Sequence, residues 1–100
     1  MITRADLPPG TQACQAVHAA LDFAFTHPSL VADTLVLLAT GDELSLTRLC
    51  DDLSSAGYRV VRFHEPDLGG ALTAAACEPA AHRRLAHLPL ALAGRREVKR

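Results

Sequence analysis

The chain has 100 residues and a formal net charge of −1, a length that suits one domain. Hydrophobic residues make up 49% of it but aromatics only 4%, with no tryptophan, so a bulky interior is excluded. It lacks the run of about 18 apolar residues that a membrane-spanning helix needs.

The opening Met1–Asp6 has no charged stretch followed by an apolar one, which argues against a secretory signal. Cys14, Cys50 and Cys77 are odd in number and widely spaced. No CxxC pair occurs, so zinc ribbons and thioredoxin-type chemistry find no support. The expectation is three buried thiols in a reducing, cytoplasmic setting. A chain this short, with a core built on Ala and Leu, also suggests a homodimer that covers part of one face. Charge is unevenly spread: residues 81–100 balance at +5 and residues 1–80 at −6. That asymmetry offers a basic patch for a polyanion, or a solvated tail over 95–100 that follows a domain of residues 1–94.

In chain order, Met1–Arg4 reads as a short edge strand, and Pro8-Pro9-Gly10 as a turn. Thr11 is placed as the N-cap of a helix that runs to about Thr26, where His27-Pro28 stops it. Apolar residues cover more than half of this helix. Gln15, His18 and Asp22 share one polar stripe. The apolar run Thr34–Ala39 predicts a strand covered on both faces. Asp42 is expected to cap a helix over Glu43–Ala56, buried through Leu44, Leu46, Leu49, Cys50 and Leu53, with Gly57 as its left-handed terminator. Tyr58–Phe63 predicts a second strand, followed by the loop His64–Gly70. Ala71–Cys77 fits strand or helix by composition, and its shortness between Gly-Gly and Glu-Pro selects strand. Pro79–Ala86 predicts a short helix and Leu88–Leu92 a last extended piece. The order implies an α/β fold: a single domain with a mixed central sheet of about four strands and helices packed on its faces.

Three places carry candidate chemistry. Within Glu65–Gly70, Asp67 projects from a strand end, Pro66 stiffens the loop, and Gly69-Gly70 permit a sharp turn or close approach to a ligand. The same pattern also fits a tight loop whose Asp caps its own backbone. In the stripe, Asp22 stands four residues after His18, within reach of holding its imidazole, though an ordinary exposed helix face looks alike. Thr73, a hydroxyl among alanines in a buried strand, needs a hydrogen-bond partner, whether in a site or on the backbone. His64, His82 and His87 lack metal-ligand spacing, and no phosphate-loop, GxSxG or GxGxxG motif occurs.

Taken in order, these segments resemble the type-2 peptidyl-tRNA hydrolase family. Arg4-Ala5-Asp6-Leu7 is similar to its Arg-x-Asp-Leu, and Gly10–Ala19 to its Gly-Lys-x-Ala-Ala-Gln-x-x-His-Ala helix start. Asp67-Leu68-Gly69-Gly70 looks like a shortened Asp-Ala-Gly-Arg-Thr loop. Leu72–Pro79 is similar to its Thr-bearing strand that ends in Gly-Pro. The resemblance spans Arg4 to about Leu92. It implies hydrolysis of the ester between a peptide and the 3′ end of tRNA, without metal or organic cofactor. Asp67 would then activate or orient water, with Gln15, His18 and Thr73 shaping the site. Thr11, Arg4, Gly69, Gly70, Arg83 and Arg84 would contact substrate, and tRNA would be held through its phosphates. Thr11 stands where the family has lysine, and the Asp67 loop lacks the Arg-Thr pair. These departures imply the alternative of a tRNA- or protein-binding module without hydrolysis.

Overall fold

The computed structural model describes residues 1–31 and 34–93. Its centre is a four-stranded mixed sheet of β1 (Ile2–Arg4), β2 (Leu38–Thr40), β3 (Val60–Glu65) and β4 (Ala71–Cys77), in the order β2-β1-β4-β3. β1 runs parallel to β2 and antiparallel to β4, and β4 is antiparallel to β3. Helix α1 (Pro9–Thr26) covers one face, and α2 (Glu43–Ser55) covers the other. The four-residue α3 (His82–Leu85) closes the α2 side. The α/β architecture expected from the order of elements is therefore the one found. No helix among the described residues is long and apolar enough to cross a membrane.

Two cores form, one under each helix. Ile2, Leu46, Cys50, Leu53, Leu72 and Ala75 join on the α2 side. Ala19, Phe23, Ala74 and Ala76 join on the α1 side. Alanines let α1 lie close to β4, which is how a chain poor in aromatics still excludes water.

One irregularity positions everything that follows. Phe63 pairs with Ala74, but His64 pairs with Leu72, so Thr73 is an extra residue in β4. A bulge of this kind turns two consecutive side chains to the same face. Thr73 and Ala74 both point to α1, whereas regular alternation would have sent Thr73 to α2.

Several boundaries differ from the sequence expectation. α1 starts at Pro9, with Pro8 at the N-cap position, so Thr11 lies inside its first turn and caps nothing. Proline at the first helical position has no N–H to leave unpaired and a φ already suited to a helix. β1 is a central strand, with Ile2 and Thr3 fully buried. The run Thr34–Ala39 yields strand only from Leu38, and Leu35 and Val36 are exposed. β2 is an edge strand, not one covered on both faces. Leu90 forms an antiparallel bridge to Leu38, the one bridge in the predicted Leu88–Leu92 piece.

β3 begins two residues later than predicted and takes in Glu65. The expected helix over Pro79–Ala86 is a 3-10 turn, Pro79–Ala81, followed by α3. Leu44 is exposed, and so is Cys14, which corrects the expectation of three buried thiols. Asp42 does cap α2, its carboxylate accepting from the Ser45 N–H at 2.9 Å. Gly57 takes φ +95° just beyond the helix. The basic tail over 95–100 lies outside the described residues.

Candidate functional site

The bulged Thr73 begins a hydrogen-bonded relay across the α1 face of the sheet. Its hydroxyl donates to Gln15 Oε1 at 2.6 Å. The Gln15 amide donates through Nε2 to Glu65 Oε1 at 2.9 Å. The other oxygen of Glu65 accepts the Asp67 backbone N–H at 3.1 Å. Thr3, also buried, donates to the Thr73 carbonyl at 3.2 Å. Each link uses a donor facing an acceptor, so the buried polar atoms of Thr73 and Gln15 are satisfied.

Helix geometry delivers Gln15 to this place. Gln15 sits one turn before Ala19 on the buried side of α1 and is itself buried. The predicted polar stripe therefore divides: Gln15 faces the sheet, while His18 and Asp22 are exposed. His18 makes no hydrogen bond to Asp22. Its ring lies flat on Phe63, with centroids 4.7 Å apart and planes within 4°. Period-two alternation puts Val61, Phe63 and Glu65 on one face of β3. The stacking platform for His18 and the carboxylate for Gln15 thus come from the same strand.

The Gln15 amide first, and then the Asp67 N–H, hold the Glu65 carboxyl below the usual carboxylate range; His18 nearby adds to the effect. Glu65, not Asp67, is the residue that caps the turn. Pro66–Leu68 forms one turn of 3-10 helix, which Gly69 ends in the left-handed region at φ +67°, followed by Gly70 at φ +79°. The Asp67 side chain stands exposed at the tip. The N–H groups of Gly69 and Gly70 are already spent on Pro66 O and Glu65 O, at 3.2 and 2.9 Å. Both glycines shape the turn, and neither has an N–H left for a ligand's oxyanion.

Arg4 has a different task from the one expected. β1 ends at Arg4, so the β1-facing backbone groups of Leu72 have no strand beside them. The Arg4 guanidinium donates to Leu72 O at 3.0 Å, and Glu43 Oε2 accepts the Leu72 N–H at 2.8 Å. Arg4 also forms a two-bond pair with Asp6, at 2.9 Å for each bond, and reaches Glu43 at 4.0 Å. It lies on the α2 face, away from Gln15, and its charge is balanced within the fold.

Arg83 and Arg84 lie on α3, which follows the C-terminal end of β4, whereas Asp67 precedes its N-terminal end. Arg84 sits over the Tyr58 ring, 5.9 Å from its centroid. Seven residues of strand separate the two ends by roughly 20 Å. The structure gathers Gln15, Thr73, Glu65, His18 and the Asp67 turn at one end, and leaves the Arg83–Arg84 pair at the other. Glu65 opens the predicted loop Glu65–Gly70, but sequence alone assigns its side chain no role. The alternation of Val61, Phe63 and Glu65 was the signal that would have found it. Among the described residues no group of three or more His, Cys, Asp or Glu is placed to hold a metal.

Comparison with models of protein families, with curated proteins and with solved structures finds no match for this chain.

Proposed function

We propose that the protein is a peptidyl-tRNA hydrolase-like esterase, cleaving the ester between a peptide and the 3′ end of tRNA, with Asp67 as the residue that orients water. The single observation that carries this reading is the relay Thr73–Gln15–Glu65, whose last carboxylate grips the backbone of Asp67. A relay rooted in the buried Thr73 and Gln15 and ending on an exposed turn holds the backbone from which the Asp67 carboxylate is presented. Asp67 then acts as the general base toward an attacking water, within reach of solvent. His18, held flat on Phe63, supplies a ring N–H toward the ester. The basic Arg83–Arg84 end and the acidic turn suit an extended polyanion whose terminus, not its phosphates, meets Asp67.

A second reading, tRNA or protein binding without turnover, is favoured by one observation. Arg4, the cation nearest in sequence to Thr11, which stands where the family has lysine, is spent on Asp6, Glu43 and Leu72. With Arg4 and the Gly69 and Gly70 N–H groups engaged, these described residues give a developing oxyanion little stabilisation.

The test is hydrolysis of N-acetyl-aminoacyl-tRNA by the wild type, Asp67→Ala and Gln15→Ala. The esterase reading expects turnover in the wild type, and a loss of about 100-fold or more in Asp67→Ala. Equal rates in the wild type and Asp67→Ala would remove Asp67 from the chemistry. Salt-sensitive tRNA binding with no turnover in folded wild-type protein would establish the second reading.

A further inference from the structure

The outer side of α1 is apolar where a solvent-facing helix should be polar. Val17, Leu21 and Phe25 follow each other at four-residue spacing and are 56%, 52% and 83% exposed. The only charged residue in the 18 of this helix is Asp22, at the far edge of that stripe. Beside the stripe lies an apolar cleft of about 560 Å³, lined by α1, by Leu30–Val31 and Thr34–Val36 after it, and by the end of β4 and α3. Ala20 and Ala24 form its helical wall, and Val31, Leu35 and Val36 stand opposite, themselves about half or more exposed. Positions 17, 20, 21, 24 and 25 are neighbours on a helix, so stripe and cleft form one continuous surface.

We propose that this surface is a self-association interface, and that its occupant is a second copy of this chain. Shape supports that choice: the patch holds both a protruding knob, Phe25, and a hollow walled on the helix side by Ala20 and Ala24. A two-fold axis across α1 presents each copy's knob to the other's hollow, the reciprocity an isologous dimer requires. Area supports it as well. Val17, Leu21, Phe25, Val31, Leu35 and Val36 leave roughly 600 Å² open, taking about 200 Å² for a whole phenylalanine and less for the aliphatics. That reaches the top of the range for the largest apolar patch on an ordinary monomer, about 300–600 Å². It also supplies the apolar centre of a standard interface, which buries about 800 Å² per partner. Asp22, the one charged residue of α1, lies at the edge of the stripe, so Val17, Leu21 and Phe25 meet no charge of α1. The widest part of the surface is at the C-terminal half of α1. Gln15 is buried against the sheet, and the exposed Asp67 turn stands beyond β3, so neither is part of the stripe.

Sedimentation equilibrium from about 1 to 300 µM on the wild type, Phe25→Glu and Leu44→Glu tests the interface. Leu44 is 57% exposed on α2, on the opposite side of the sheet, and serves as a control. The expected result is a wild-type dimer, a Phe25→Glu protein at least tenfold weaker in self-association, and a Leu44→Glu protein like the wild type. Circular dichroism is expected to be the same for all three, because both side chains are largely in solvent. A wild type that stays monomeric throughout, a Phe25→Glu protein that dimerises as well as the wild type, or dissociation by Leu44→Glu would each overturn the proposal.

Discussion

The hydroxyl of Thr73 lies 2.6 Å from the amide oxygen of Gln15, a residue 58 positions away in the chain. This contact ties the bulge of β4 to the buried side of α1 and starts the relay that ends at Asp67. Thr73→Val removes the donor, keeps the shape, and leaves Gln15 Oε1 buried without a partner. A loss of about 1–3 kcal/mol is expected, read as a lower urea midpoint. Thr73→Ser keeps the hydroxyl and is expected to recover most of it. Equal stability of the Val and wild-type proteins would show that the bond contributes nothing.

The Glu65 carboxyl is held below its ordinary value of 4.5 by the Gln15 amide and the Asp67 N–H. A lowered folded-state pKa adds stability that is complete above the unfolded value and is lost as pH falls through the folded value. Glu65→Gln removes this dependence. The stability gap between wild type and Glu65→Gln should hold steady above about pH 5.5 and shrink as acid is added. Denaturant titrations at several pH values measure it. A gap that widens toward acid would reverse the sign and rule the account out.

Arg4 is a fold-holding residue, and its removal should read as such. Arg4→Ala leaves Leu72 O without its Arg4 donor and removes the cation facing Asp6 and Glu43, for a cost of about 1–3 kcal/mol. Its tRNA affinity, compared at equal folded fraction, should match the wild type. Arg83→Ala with Arg84→Ala should do the opposite, leaving the urea midpoint in place and weakening tRNA binding at low salt. Filter binding beside urea melts separates the two patterns, and the reverse assignment would place the polyanion surface at Arg4.

Two glycine substitutions should move stability in opposite directions. Gly10 is the second residue of α1, and a Cβ there meets nothing within 4 Å. Gly10→Ala is expected to stabilise by about 0.5–1 kcal/mol through helix propensity and a less disordered unfolded chain. Gly69 also has open space, but its φ of +67° disfavours any Cβ. Gly69→Ala is expected to cost about 1–2 kcal/mol. Thermal melts of both proteins decide the matter, and two shifts of the same sign would count against it.

Much of the architecture was legible in local residue chemistry. Asp42 before a polar-apolar period marked the start of α2, because its side chain answers an N–H that any helix leaves free. His27-Pro28 marked the end of α1, and Gly-Gly and Glu-Pro bracketed β4, because proline and glycine restrict or free the backbone whatever surrounds them. Thr73 is legible as a hydroxyl among alanines, and Gln15 as one member of the polar stripe along α1. Tertiary structure decided the rest. The one-residue bulge turned Thr73 toward α1, brought it to Gln15, and drew Glu65 into the relay; alternation along an isolated strand cannot announce such a slip. It put Arg4 under the α2 cap, where β1 runs out and Leu72 needs partners, and it carried Arg83 and Arg84 to the far end of β4. Elements follow from neighbours within a few residues. The partners of a side chain follow from strand order and register, which are set by contacts far apart in the chain.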